Sequence, residues 1–194
     1  MNQAVQAAPA AKPDTATEDA QQVTRWLAAF EAALQSGDAG RLAALFTPDD
    51  CHWRDLLAFT WHITPFRGAA EIAAGLVRNQ PGVQAHDFAL AAKRTAPRRM
   101  SRAGNTVIEA LFSFETIAGH GMGALRLPAD KPGQAFQIMT SLNELRGFEE
   151  HTGLNRPTGS TYSRNFGGAN WKDQRLQRQR YDRSEEHTSE LQSH

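Results

Sequence analysis

The sequence predicts an α+β domain in which helices come first and pack on one face of a curved, mostly antiparallel sheet. Two observations predict it. Apolar residues recur at helical spacing as far as Pro81, and from His86 onward the period changes to the alternation of strands. The later segments also follow one another across Pro, Gly and Asn punctuation without interleaved helices, which argues against a parallel α/β sheet.

The elements can be justified in order. Thr15 with Glu18 makes a capping box for a first helix, whose apolar face is Val23, Trp26, Leu27, Phe30, Ala33 and Leu34. Ser36-Gly37 ends it, and Asp38 caps a second helix carrying Leu42, Leu45 and Phe46 up to the stop at Pro48-Asp49-Asp50. Residues 51–66 are aromatic (Trp53, Phe59, Trp61, Phe66) and read as irregular. Arg67-Gly68 opens a third helix with Ile72, Leu76 and Val77 on one side, broken at Pro81-Gly82. Strands are expected at 86–94, 105–117, 121–128 and 134–146. In the second of these, Ile108, Ala110, Phe112 and Phe114 share one face and Glu109, Ser113 and Glu115 the other, the pattern of a half-buried antiparallel strand.

The two ends differ from this middle. Residues 1–17 are rich in Ala, Pro and polar side chains, have neither a basic start nor an apolar run, and read as a disordered leader and not as a secretory signal. Residues 147–182 lack regular periodicity, hold six bases and read as an irregular basic linker. Phe148, Leu154, Tyr162, Phe166 and Trp171 in it look like anchors for another surface. Residues 183–194 stand apart. Arg183 to Ser193 back-translates in frame into a common sequencing-library adapter, so this tail is excluded from fold reasoning and the natural gene is expected to continue past Asp182. The expected organisation is leader 1–17, domain 18–146, linker 147–182 and adapter-derived tail 183–194.

Composition excludes several classes. The formal charge is +0, and without residues 183–194 it is +2, from 20 bases against 18 acids. Neither value gives a field that gathers nucleic acid or anionic membrane. No apolar run reaches the roughly 20 residues of a membrane span. The lone cysteine, Cys51, excludes an internal disulfide and suits a reducing compartment, so a cytoplasmic location is expected.

Several stretches resemble known families. Ser36-Gly37-Asp38, then Leu42, Leu45-Phe46, an aromatic segment and Phe66-Arg67-Gly68 opening a helix are similar to the nuclear-transport-factor-2-like superfamily, in its polyketide-cyclase or SnoaL-like branch. The resemblance implies a cone whose sheet wraps around the helices and leaves a pocket. Trp53-Arg54-Asp55-Leu56-Leu57-Ala58-Phe59-Thr60-Trp61, Leu142 to Glu150, Arg156-Pro157-Thr158-Gly159 and Asn170-Trp171 resemble the N-terminal region of a bacterial group of flavin-containing monooxygenases. That resemblance covers roughly residues 20–182. It implies a truncated N-terminal domain, inactive alone, whose parent binds FAD and NADPH on C-terminal domains missing here and transfers oxygen to an organic substrate. No cofactor site is expected within this chain.

Candidate chemistry is sparse. Gly119-His120-Gly121-Met122-Gly123 follows a strand, but strand-like residues come next where a dinucleotide site needs a helix, and a glycine-rich hairpin turn is the better reading. His52, His62, His86, His120 and His151 have no zinc-type spacing, so no metal site is expected. The pocket candidates are Asp55 as a desolvated general base, Arg54 as an anion holder and His62 beside them. The simpler reading of Arg54-Asp55 is an internal pair fixing the irregular segment; neighbours on a strand point to opposite faces, which weakens a joint catalytic role. Trp26, Trp53 and Trp61 read as core and pocket-wall aromatics. Two rival functions remain open beside the monooxygenase fragment. One is a free-standing isomerase, cyclase or dehydratase using Asp55 or a histidine. The other is a non-catalytic module that binds a small apolar ligand in the cone pocket or forms a homodimer.

Overall fold

Helix α1 (Pro13–Ser36) turns the apolar stripe read from the sequence onto the sheet, with Val23, Trp26, Leu27, Phe30, Ala33 and Leu34 all buried. The computed structural model describes residues 13–150, apart from 49 and 103, together with 169–177 apart from 174. The helix begins at Pro13, so Thr15 lies inside it and the stretch 13–17 is helical, not leader. Proline suits this first position, because its fixed φ is already helical and its missing N–H would have had no intrahelical partner. Residues 1–12 and 178–194, and with them the leader's first part and the adapter-like tail, lie outside the described residues.

Gly37 takes φ +66 and ends α1, and Asp38 caps α2 (Ala39–Ala44) by accepting from Arg41 N at 3.0 Å. Next come β1 (His52–Leu56) and β2 (Ile63–Arg67), an antiparallel hairpin. Only then does α3 (Ala69–Val83) form, entered through Gly68 at φ +84. The helices therefore do not all precede the sheet: the third follows its first hairpin. Pro81 does not break α3, which runs on for two residues and ends at Gln84 in the left-handed region. The remaining strands are β3 (His86–Leu90), β4 (Arg98–Arg102), β5 (Asn105–Glu115), β6 (Gly119–Pro128) and β7 (Gln137–Leu145).

The strands form one sheet in the order β2-β1-β7-β6-β5-β3, with β4 also paired to β5. Every pairing is antiparallel except β1 with β7. The α+β class and the mostly antiparallel sheet thus stand. Missing from the sequence reading are β1, β2 and β4. Strand β1 buries Trp53 and Asp55 on one face, so a carboxylate interrupts its apolar alternation. Strand β2 lies at the sheet edge and contains Pro65, and β4 carries three arginines on a strand that pairs β5 alone.

Polar ties hold the helices to the sheet. Asp19, buried on α1, receives Arg99 of β4 through both Nε and an outer nitrogen at 3.0–3.2 Å. That contact raises the arginine's pKa further. Glu31 accepts from the backbone N–H of Asp87 and Phe88 at 2.9 and 3.1 Å, where β3 shifts register against β5 and Asp87 takes φ +56. A bulge leaves amides without strand partners, and this carboxylate supplies the acceptors.

The core between the layers is aromatic. Trp53 stacks on Phe66 at 4.4 Å and meets Phe59 edge-on at 5.4 Å; Phe88 stacks on Phe114 at 5.0 Å. The Gly119 to Gly123 stretch is not a turn but the first half of β6. Its odd-numbered residues face inward opposite the phenylalanines of β5, Gly121 to Phe114 and Gly123 to Phe112. A Cβ on Gly121 would overlap the Phe114 ring, and one on Gly123 would overlap both the Phe112 ring and the carbonyl of Met139. Glycine here makes room for rings.

The second unit, residues 151–194, is described only at 169–177. There Asn170 Oδ1 accepts from the N–H of Lys172 and Asp173, while Asp173 Oδ2 accepts from Asn170 N, a reciprocal cap that opens a short helical stretch in what reads as an irregular linker. Trp171 is 75% exposed; Tyr162 and Phe166 lie outside the described residues.

Gly121→Ala is expected to destabilise the protein by about 1–3 kcal/mol through overpacking. Phe114→Leu in the same chain should recover part of that loss, because the three atoms nearest the added methyl all belong to the Phe114 ring. Urea unfolding of both single variants and the double variant checks it; strictly additive losses would contradict the contact.

Candidate functional site

Strand β1 runs parallel to β7 with Asp55 opposite Thr140 and Trp53 opposite Ile138. That register brings three polar side chains together inside an apolar core. Asp55 is fully buried. Its Oδ2 accepts from Phe59 N at 3.0 Å, Thr60 N at 2.7 Å and Thr60 Oγ1 at 2.8 Å, and its Oδ1 accepts from Thr140 Oγ1 at 2.7 Å. Thr140 Oγ1 in turn accepts from Trp53 Nε1 at 2.9 Å. Four hydrogen bonds thus converge on Asp55, three on Oδ2 and one on Oδ1.

The sequence candidates separate at this point. Arg54 is exposed on the opposite face of β1, and among the described ion pairs none joins it to Asp55. Asp55 does fix the 57–62 segment, as the simpler reading held, but it does so through backbone amides and threonines, not through arginine. His62 is exposed, with Nδ1 2.8 Å from the Thr60 carbonyl oxygen, and does not reach the Asp55 carboxylate. Trp53 is core, and Trp26 is core with its indole N–H on the Leu45 carbonyl at 3.0 Å. Trp61 instead projects from the loop at 54% exposure, with φ +55.

Two charged groupings emerge on the outer face of the sheet, built on residues that the sequence assigned only to the polar face of the strand. Glu109 lies between Arg102 Nε at 3.1 Å, Arg126 Nε at 2.9 Å and Arg98 at 3.8 Å. The Arg102 hydrogen bond foremost, with Arg126 behind it, holds its carboxyl below the ordinary glutamate value against the opposing effect of burial. At the other end of the same strand, Glu115 Oε1 is 2.8 Å from His120 Nδ1 and its Oε2 3.5 Å from Arg146. These last groups, with Gly119, Glu144, Leu145 and Glu149, line a cleft of about 220 Å³. The signal for both lay in the β5–β6 register, which sets Glu109 opposite Arg126 and Glu115 opposite His120.

Among the described residues no group of three or more His, Cys, Asp or Glu is placed to hold a metal ion, and His151 lies outside them. Cys51 is buried, and desolvation raises its thiol pKa. No helix among the described residues is long and apolar enough to cross a membrane.

Two outcomes test these contacts. Thr140→Val should cost about 1–3 kcal/mol, because it strips a donor from Asp55 and leaves the buried Trp53 N–H without an acceptor. Asp55→Ala should cost at least as much, since it leaves the Phe59 and Thr60 N–H groups without their acceptor; chemical denaturation measures both. Glu109 governs acid stability with a defined sign. Its native pKa lies below the unfolded value, so its contribution is present above pH 4.5 and fades as pH falls toward the lowered native value. Glu109→Gln should therefore flatten the melting temperature's dependence on pH below that point, and an unchanged acid limb would contradict the assignment.

No family model matches the chain, and no curated protein matches it. Solved structures do resemble it. It is similar to a domain of unknown function with a cystatin-like fold from Nostoc punctiforme, at 13% identity over 66% of this chain and 79% of that one, TM-score 0.49. A candidate SnoaL-like polyketide cyclase from Shewanella denitrificans aligns at 16% identity over 68% and 92%, TM-score 0.38. A steroid delta-isomerase from Pseudomonas aeruginosa aligns at 21% identity over 66% and 82%, TM-score 0.37.

Proposed function

We propose that the chain is a SnoaL-like cone module that performs no chemistry in its interior and works by association through its surface. Asp55 carries this reading. The residue best placed to be a buried base is held by four hydrogen bonds from the fold itself, three on Oδ2 and one on Oδ1. Around it Trp53, Phe59, Phe66, Phe88, Phe112 and Phe114 pack ring against ring through the concavity of the sheet. A ligand entering there would have to displace stacked aromatics and break a satisfied polar network, and both are costly.

The finer reading, an N-terminal part of a flavin-containing monooxygenase with FAD and NADPH on further domains, is supported by the sequence resemblance alone; neither the fold nor the comparisons add to it. A second reading has one observation in its favour. His120, with Nδ1 held by Glu115, keeps Nε2 for proton transfer in the outer cleft, the geometry of an oriented general base for an isomerase or dehydratase.

One experiment separates them. The full chain is incubated in D2O with a panel of cyclic enones and β-hydroxy ketones, and α-proton exchange is followed by NMR. Exchange at the buffer rate, with no saturable ligand shifts on the Phe112 and Phe114 rings, is expected. Exchange above buffer that vanishes in a folded His120→Gln variant would establish the outer-cleft base, and ring shifts that saturate would establish an interior ligand.

A further inference from the structure

Strand register lines up one row of side chains across the outer face of the sheet. Arg98 lies opposite Glu109, Glu109 opposite Arg126, Arg126 opposite Gln137, Gln137 opposite His52 and His52 opposite Arg67. At the spacing of neighbouring strands the row is roughly 24 Å long. Its carboxylate lies deepest: the Glu109 side chain is 16% exposed, against 56, 37 and 30% for Arg98, Arg102 and Arg126 around it. Glu109 therefore fixes these guanidinium groups from below and leaves part of each to solvent. Arg126, for instance, gives Nε to Glu109 and Nη1 to Gln137 and keeps Nη2. At the far end of the row Arg67 and His52 share the exposed Asp50 at 3.6 and 3.8 Å.

Two further rows lie alongside. Leu111, Ala124, Met139, Arg54 and Pro65 make the next, and Ser113, Met122, Ser141, Leu56 and Ile63 the one after. They are apolar or small except at Arg54, which is exposed and makes no ion pair among the described residues. Arg94, exposed beside Lys93 in the loop after β3, lays its guanidinium 3.9 Å from Met122 Sδ. Over this area six arginines stand against two carboxylates, those of Glu109 and Asp50. The next acids on the face, Glu115 and Glu144, lie at the other end of the strands, roughly 20 Å along β5 from Glu109.

We propose that this area binds an acidic polypeptide segment of a partner protein, its carboxylates on the arginines and its apolar side chains on the two rows beside them. Charge complementarity selects the occupant. Guanidinium groups pair carboxylates through two parallel hydrogen bonds, and groups already held in place lose little freedom on binding. A single-stranded nucleic acid would also match the charge, but it needs aromatic side chains on which its bases stack. None of the outward positions in the three rows is aromatic. Their leucines, methionines and Ile63 suit the apolar side chains of a peptide instead. The inference rests on the reading that the chain works through its surface, and names the surface and the chemistry of the partner.

The test uses the full chain and a fluorescein-labelled peptide of repeated Glu-Glu-Leu-Leu. About eight residues span the row at strand rise, and the extended form puts both kinds of side chain on each face. Fluorescence anisotropy is expected to show saturable binding that weakens as salt rises. Arg54→Glu, at an arginine with no ion pair in the fold to lose, should weaken it about tenfold. Arg25→Glu makes the same charge change at an exposed position of α1 and should leave binding within about twofold. Circular dichroism confirms that both variants are folded. No saturable binding, an equal loss in the two variants, or tighter binding of an oligothymidylate of the same length overturns the proposal. A chain dimer in sedimentation velocity that Arg54→Glu dissolves gives the face to a second copy and overturns it too. None of these results touches the closed-interior reading, which fails instead on the proton-exchange assay.

Discussion

The structure depends on one buried carboxylate. Asp55 lies on the parallel pairing of β1 with β7, and its two oxygens hold different parts of the chain: Oδ1 holds β7 through Thr140, and Oδ2 holds the 57–62 segment through two amides and a hydroxyl. A charge taken out of water is tolerable only when hydrogen bonds replace its hydration. That requirement fixes the irregular segment, including the left-handed backbone at Leu57 and Trp61, and seats Trp53 through the shared threonine. Hydrogen bonds to a charged group are among the stronger ones, so the network also specifies the register of β1 on β7.

With the polar network closed, the remaining interior is filled by rings. Phenylalanines on β5 lie over glycines on β6, an exchange of volume between neighbouring strands that a residue larger than glycine would disrupt. The helices are fastened around this core by carboxylates that reach the sheet, Asp19 to Arg99 and Glu31 to the bulge in β3. Polar groups inside the molecule thus answer one another, and among the described residues no buried side-chain nitrogen or oxygen lacks a partner.

The outer face follows a different logic. Its charges are partly exposed, Glu109 among three arginines and Glu115 beside His120 and Arg146. Isolated exposed ion pairs contribute little to stability. The Glu109 group is the more enclosed, and there the bound carboxylate is held ionised to lower pH than usual. Charge separated along a strand matters more for orienting a partner than for holding one chain together.

The sequence by itself determined the α+β class, the apolar stripe of α1, the Asp38 cap, the entry of α3 at Gly68 and the inward face of β5, because each depends on residues close together in the chain. It did not reveal β1, β2 or β4, whose local patterns are spoiled by a buried acid, an edge proline and a run of arginines. It suggested that Asp55 fixes the irregular segment but not with which partners: Arg54 faces outward, and Thr140 lies eighty-five residues away. Gly121 and Gly123 read as turn residues because their reason is the rings on the neighbouring strand. Glu109 and Glu115, unremarkable one at a time, acquire partners only when β5 pairs with β4 and β6. Strand register decides which side chains meet across a sheet, and register is a property of the folded sheet, not of any one strand.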